Sequence, residues 1–328
     1  MKDRMVRDLD LEFRPKGKYQ VDLDSLAGYQ SVVTIADPFP LALKGNVYVL
    51  AEVEGYRQSG CYFKTLGAFE LSLDKKALVY LDELWSNDSA EYSFPFLFVD
   101  NDRILLIPDV NLGGDSSAKL FRIYETSKGH FPFGWSLLHE GKLEDAPLPS
   151  DKVLVREDGT WHLFVSDGSH GGQLLLYTST DLISWEPHAA NPLLSRSLLT
   201  RLANRILPYR WYRTRPWRLG GGALEVDGRL VLPVQHQYHN KLYGEALSLI
   251  ELSGLKQGRG RVSQSPQAFM TPDSKVAWRS WGTHHIAMIN AENFSWVATD
   301  GFDGEKWHIA LDDGESLVAK GIQARVSS

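Results

Sequence analysis

Val153-Leu154-Val155, a Glu157-Asp158-Gly159 turn, Trp161-His162-Leu163-Phe164-Val165, then Gln173-Leu174-Leu175-Leu176-Tyr177 read as three successive strands opened by Asp151. Outward from it, the same grammar recurs. Ala36-Asp37-Pro38-Phe39 leads to Asn46-Val47-Tyr48-Val49-Leu50, and Phe94-Pro95-Phe96 leads to Arg103-Ile104-Leu105-Leu106-Ile107. Arg215-Pro216-Trp217 leads to Arg229-Leu230-Val231-Leu232, and Thr283-His284-His285-Ile286 to Phe294-Ser295-Trp296-Val297. The anchors Asp37, Pro95, Asp151, Arg215 and His284 are 58, 56, 64 and 69 residues apart. Each interval has room for four short antiparallel strands, and such a recurrence predicts an all-β, five-bladed β-propeller. An irregular pair of β-sandwiches is the alternative. In a propeller the innermost strand of each blade faces one central channel, so distant anchors meet there.

On this reading residues 1–328 form one domain. A polar arm covers 1–25 and blades lie near 32–73, 93–124, 151–185, 215–252 and 282–311. Residues 193–213 form a long arginine-rich loop, and 140–149 a second break in the rhythm. Turns are expected at Lys44-Gly45-Asn46, with Gly and Asn taking positive φ, and at Asp100-Asn101-Asp102, Asp227-Gly228 and Asn290-Ala291-Glu292-Asn293. Gly220-Gly221-Gly222 is not a phosphate loop, because no helix is expected after it.

Of 328 residues, 43% are hydrophobic and 23% charged, an ordinary globular balance. A net charge of −6 argues against nucleic-acid binding. The exception is local: Arg196, Arg201, Arg205, Arg210, Arg213, Arg215 and Arg218 occur with no acid among them, a stretch suited to an anionic group. The single cysteine, Cys61, excludes an intramolecular disulfide and a thiolate metal cluster. The charged start and the lack of a long apolar run lead to the expectation of a soluble, cytoplasmic chain without a membrane span.

Several further stretches carry a resemblance. They are Ile107-Pro108-Asp109, Leu176-Tyr177-Thr178-Ser179-Thr180-Asp181 with Ser184-Trp185, Pro233-Val234-Gln235, Tyr243-Gly244 and Gly282-Thr283-His284. With the anchors, and in this order, they resemble the N-terminal domain of plant glucosamine inositolphosphorylceramide transferases and its free-standing bacterial relatives. The resemblance covers roughly Val32 to Asp300. That domain is similar to the five-bladed propellers of the furanosidase superfamily: arabinanases, β-xylosidases, invertases and levansucrases. The resemblance implies a propeller and a carbohydrate connection.

Glycosidases need two carboxyl groups, one acid and one ionised. By the resemblance, Asp37 stands where those hydrolases carry the nucleophile or base, and Asp151 where they carry the residue that orients the sugar. As plain structure, Asp37 would be an Asx-turn residue before Pro38, and Asp151 a loop cap. The hydrolases' acid is a glutamate at the next blade head, where this chain has Arg215, and a guanidinium cannot donate a proton near neutral pH. Glu245 is the replacement expected here, with Glu52, Glu54 and Asp109 as others at inner-strand ends. Arg215, Gln235, His236, Tyr243, His284, Glu54 and Asp109 form the expected substrate-binding set. His284 and His285 are expected to alternate across a strand, so only one can face the channel.

His236 and His239 lack a third ligand for zinc, and neither a metal nor a cofactor is expected. Only a calcium or water near His284 is allowed, by the resemblance. Trp85, Tyr92, Trp211, Tyr212, Trp217 and Tyr243 are placed near blade tops, to stack on sugars or to pack between blades. Two functions stay open. One is a glycosidase or transglycosidase acting on an anionic glycan or glycoconjugate. The other is a non-catalytic glycan-recognition or accessory module associated with a glycosyltransferase.

Overall fold

The computed structural model describes residues 12–85, 90–112, 120–168, 172–195, 218–236, 244–255, 260–290, 295–318 and 321–324. The architecture is all-β, with helix confined to short pieces such as the 3-10 turn Leu23–Leu26 and the α-helical turn Glu315–Val318. In chain order the strands are β1 (Tyr19–Gln20), then β2 (Tyr29–Leu43), β3 (Asn46–Arg57), β4 (Tyr62–Ser72) and β5 (Ala77–Glu83). They continue with β6 (Glu91–Asp100), β7 (Arg103–Asn111), β8 (Leu120–Ser127) and β9 (Ser136–Gly141). Next are β10 (Pro149–Glu157), β11 (Thr160–Asp167), β12 (Gln173–Ser179), β13 (Glu186–Pro187) and β14 (Leu194–Ser195). The rest are β15 (Leu224–Val226), β16 (Arg229–His236), β17 (Ala246–Ser253), β18 (Arg261–Met270), β19 (Ile286–Asn290), β20 (Ser295–Phe302), β21 (Trp307–Asp313) and β22 (Ile322–Ala324).

Among the described residues, hydrogen bonding groups these into sheets of eight, five, five and four strands, built mostly from consecutive antiparallel neighbours, with β22 joining β15 and β14 joining β12. The eight-stranded sheet joins β19–β21 to β2–β5 through a single parallel pair, Thr34 with Trp307. β1 lies on β21, pairing Tyr19 with Leu311. The Asp312 carboxylate accepts the backbone N–H groups of Gly17 and Lys18 just before it. Segment 12–20 is thus stitched to the last strands of the chain, and its end adds a strand to them.

Tight turns set the registers. Lys44-Gly45, Asp158-Gly159 and Asp227-Gly228 all have positive φ at both positions, the geometry that matches the twist of a two-residue hairpin. At the first of these, Lys44 takes the left-handed conformation at φ 52° and Asn46 does not. The pairing of Leu43 with Asn46 leaves only two residues for the turn, so Asn46 already belongs to β3. The turn expected at 290–293 lies largely outside the described residues.

Three leading strands bulge at one corresponding point. Register shifts fall between Ala36 and Phe39, Ser93 and Phe96, and Ser150 and Lys152. In each bulge one residue has positive φ: Asp37 at 52°, Phe94 at 49° and Asp151 at 44°. For a bulky residue such as Phe94 that conformation is costly, and a rigid surround must hold it. The surround is aromatic. The Phe39 ring lies 5.2 Å from Phe94, 5.5 Å from Phe96 and 4.6 Å from His285, and all four residues are buried. These leading strands converge on one core that also holds Val153, Val234 and Ala287.

The fourth leading strand uses glycine for the same convergence. Gly221 pairs in parallel with Ile286, and a Cβ there would come within 1.7 Å of the Ile286 carbonyl oxygen. Gly220 and Gly222 flank it with bonds to the Ile286 amide and carbonyl. A strand, β15, follows the glycines, so their role is close backbone approach.

Candidate functional site

Asp37 sits in the first bulge, 8% exposed, with its backbone N–H directed at Asp300 Oδ2 (3.4 Å). Asp300 is fully buried and also accepts the backbone N–H groups of His284 (2.9 Å) and His285 (3.0 Å). Its Oδ2 lies 2.6 Å from His284 Nδ1. The other face of the pair of histidines meets Asp37: Oδ1 is 3.3 Å from His285 Nδ1 and 3.8 Å from His284 Nε2. Both rings therefore reach the same carboxylate. The expectation that only one could face inward fails because these residues precede β19, which begins at Ile286, so strand alternation does not apply. His284 is further held by Trp307, whose ring stacks on it at 4.0 Å.

Burial by itself would raise the Asp37 carboxyl. The His285 contact and the charges of His284, His285 and Arg218 outweigh it and hold Asp37 well below the usual carboxylate range. Burial lowers His284, but Asp300 and then Asp37 lift it above the ordinary histidine value. The two shifts act on stability in opposite directions. Asp37, depressed in the fold, contributes fully above its unfolded value near pH 4 and loses that contribution as pH falls through its folded value. His284, raised in the fold, contributes fully below its unfolded value of about 6.5 and loses it as pH rises through its folded value. Urea midpoints are accordingly expected to be highest between about pH 4 and 6.5, with Asp37→Asn flattening the acid side.

Asp151, in the third bulge, is 1% exposed and takes a two-pronged bond from Arg218, Nε to Oδ2 and Nη2 to Oδ1, both 2.6 Å. Arg218 lies ahead of β15 and beside β16, where its carbonyl accepts the Gln235 N–H (2.8 Å). Burial, helped by Asp109 and Asp37, keeps Asp151 above the ordinary carboxylate value in spite of the guanidinium. Asp109 accepts the Asp151 backbone N–H (3.0 Å) and pairs with Lys152 Nζ, whose residue is fully buried. Asp109, on β7, is thus occupied by an ion pair with the leading strand β10 of the neighbouring sheet.

Glu52 lies opposite Ala36 on β3, next to the Asp37 bulge, and is 6% exposed. Lys64 Nζ stands 2.7 Å from its Oε1 and 3.8 Å from Glu54 Oε2. Burial pushes the Glu52 carboxyl up to about 7; Lys64 opposes this, and the charges of Asp37 and Glu54 add to it. Glu245 is 1% exposed and follows Gly244, which packs against the His284 ring. Gln235 is half-buried and donates its amide to the Leu219 carbonyl (3.1 Å). Arg215 and Tyr243, the arginine-rich stretch up to residue 217, Trp211, Tyr212 and Trp217, and the His236 side chain with His239 lie outside the described residues. Trp85 and Tyr92 pack on each other at 4.6 Å, the inter-sheet use of aromatics.

Asp37, His284 and Asp300 each bring one ligand atom within 4.8 Å of the others. They do not suit calcium, which takes six to eight oxygens. The two Asp300 oxygens already receive three backbone N–H groups and an imidazole, and His284 offers nitrogen. The cluster is a buried charged network, anchored by backbone N–H groups on Asp300, that ties β2 to β20 and to the segment entering β19.

The family model described as glucosamine inositolphosphorylceramide transferase 1, N-terminal, matches residues 25–305. The chain belongs to this family. A curated relative, glucosamine inositolphosphorylceramide transferase 1 of Oryza sativa subsp. indica, is 28% identical over 235 residues, 70% of this chain and 27% of that protein. The chain thus spans well under half of that relative's length. A glycosyl hydrolase from Bacteroides ovatus superposes with TM-score 0.64 at 14% identity, covering 93% of this chain and 94% of that one. The GH32 beta-fructofuranosidase of Bombyx mori gives TM-score 0.61 at 13% identity, covering 92% and 62%. At such identities the likeness is one of fold, the propeller fold of glycosidases. No helix among the described residues is long and apolar enough to cross a membrane.

Asp300 and Arg218 were not singled out as partners for Asp37 and Asp151. Asp300 lies within β20 with no flanking motif, so its sequence carries no signal. Arg218 stood in the arginine-rich stretch, three residues beyond the anchor chosen.

Proposed function

We propose that the protein is a carbohydrate-active enzyme that cleaves or transfers a glycosyl unit where the leading strands converge, with Asp37 as nucleophile or base. The observation that supports it most is the state of Asp37: buried, in a strained bulge, and kept ionised by two histidines braced on Asp300. Catalytic sites are where such perturbed groups cluster. On this reading the eight-stranded sheet is two blades sharing the Thr34–Trp307 pair, so the domain has five blades. Asp151 orients the sugar through Arg218, and the remaining expected set, Arg215, Gln235, His236, Tyr243 and His284, is assigned to binding a sugar that is anionic or phosphorylated. Glu245 is the acid expected from sequence.

One observation favours the second reading, a glycan-recognition module serving a glycosyltransferase. Arg218 clamps both oxygens of Asp151, which suits a fixed binding surface as well as catalysis. A screen of aryl glycosides, oligosaccharides, glycosylated inositol phospholipids and sugar nucleotides separates the two. Turnover is the expected result; saturable binding with no turnover would give the protein to the second reading.

A further inference from the structure

The site built around Asp37 contains an ionised carboxylate but needs a proton donor. Glu52 is one residue away from the bulge in cross-strand register, since it pairs with Ala36 while Asp37 is looped out beside it. The Asp37 charge adds to burial in raising the Glu52 carboxyl. One Glu52 oxygen, Oε1, is held 2.7 Å from Lys64, and the other accepts no hydrogen bond from the described residues. A side chain 6% exposed, anchored at one oxygen and unbonded at the other, is arranged to present Oε2. Glu245, at 1% exposed, is more deeply enclosed.

We propose that Glu52 is the general acid of this site, held by Lys64, and that it takes the place of the blade-head glutamate absent from this chain. The proposal rests on the glycosyl-cleaving reading above. Its proton passes from Oε2 to the glycosidic oxygen, which leaves with the electron pair of the C1–O bond as an alcohol. If Asp37 is the nucleophile, its oxygen forms an ester to C1; water then cleaves that ester and gives a proton back to Glu52. If Asp37 is the base, water adds to C1 and gives its proton to Asp37. Both forms balance with water alone.

The groups facing Glu52 set when it carries the proton. Asp37 on β2 and Glu54 on β3 raise it, and Lys64 on β4 lowers it. Tyr62 on β4 feels the Glu52 charge, together with those of Glu54 and of Glu91 on β6. With its value pushed up to about 7, Glu52 is protonated at pH 6 while Asp37 is not, the division of labour an acid and its partner require.

The test compares Glu52→Gln with the wild-type protein on alkyl glycosides and on dinitrophenyl glycosides, whose leaving group needs no proton. The variant is expected to lose about 10²–10⁴-fold on the alkyl glycosides and to stay within about tenfold on the dinitrophenyl ones. Its activity should also lose the alkaline limb near pH 7. Lys64→Met, which removes the opposing charge, should move that limb to higher pH. Carbon-13 carboxyl NMR gives a reading free of substrate: one glutamate titrating near 7 that is missing in Glu52→Gln. Equal losses on both substrate types, no loss on either, or a Glu52 midpoint in the ordinary glutamate range would overturn the assignment. Absence of all turnover in the wild-type protein would overturn the underlying reading itself, and the acid role with it.

Discussion

Asp37→Asn is expected to lower glycosyl turnover on the order of 10⁴-fold while leaving the fold intact. An amide can neither attack an anomeric carbon nor take a proton from water, so nothing at that position replaces the carboxylate. The fold should survive because Asn, like Asp, tolerates the left-handed conformation that the bulge imposes at φ 52°. The amide is also of the same size, so Phe39 and the two histidines keep their packing. Kinetics on the best glycoside from the screen, with circular dichroism to confirm folding, decide the matter. Turnover that survives the change would remove Asp37 from the mechanism, whatever the other residues do.

Asp300→Ala is expected to destabilise the protein by roughly 3–5 kcal/mol, the cost of breaking a buried charged network by deleting one partner. Asp300 is fully buried and gathers the backbone N–H groups of Asp37, His284 and His285 and the His284 imidazole. Without it, those donors stay in the interior unpaired, each at about 1–3 kcal/mol before relaxation and entering water soften the sum. For a chain of this size such a loss lowers Tm by roughly 5 °C or more. Urea denaturation compares it with Lys75→Ala, which removes the exposed Lys75–Asp22 pair and is expected to cost about 1 kcal/mol at most. Equal effects of the two changes would show that Asp300 is not the brace described here.

The strands, turns and recurrence were legible because each is a local property. The apolar run Trp161–Val165, the Asp-Gly pairs and the Phe94-Pro95 and Asp37-Pro38 anchors act over a few residues and need no partner. Asp37 and Asp151 fall in strand bulges and His284 lies just before β19, positions that the anchor spacing marked but whose chemistry it did not specify. The expected turn Lys44-Gly45-Asn46 contains the observed two-residue turn, and only the register of Leu43 with Asn46 assigns the third residue to β3. The pair of histidines was misread because alternation was assumed where the chain had not yet entered the strand. Glu52 was one of several carboxyl groups with no sequence feature to rank it above Glu245, and its elevated value comes from burial and from neighbours on other strands.

By itself the sequence determined an all-β chain and its family, since period, turn composition and motif order are written along the chain. The tertiary structure decided which charges meet. Asp300 is 263 residues from Asp37, and Arg218 is 67 from Asp151. Closing the strands around one core brings such groups to hydrogen-bond distance, and burial then sets their ionisation, because desolvation and pair geometry depend on neighbours that no local stretch of sequence specifies.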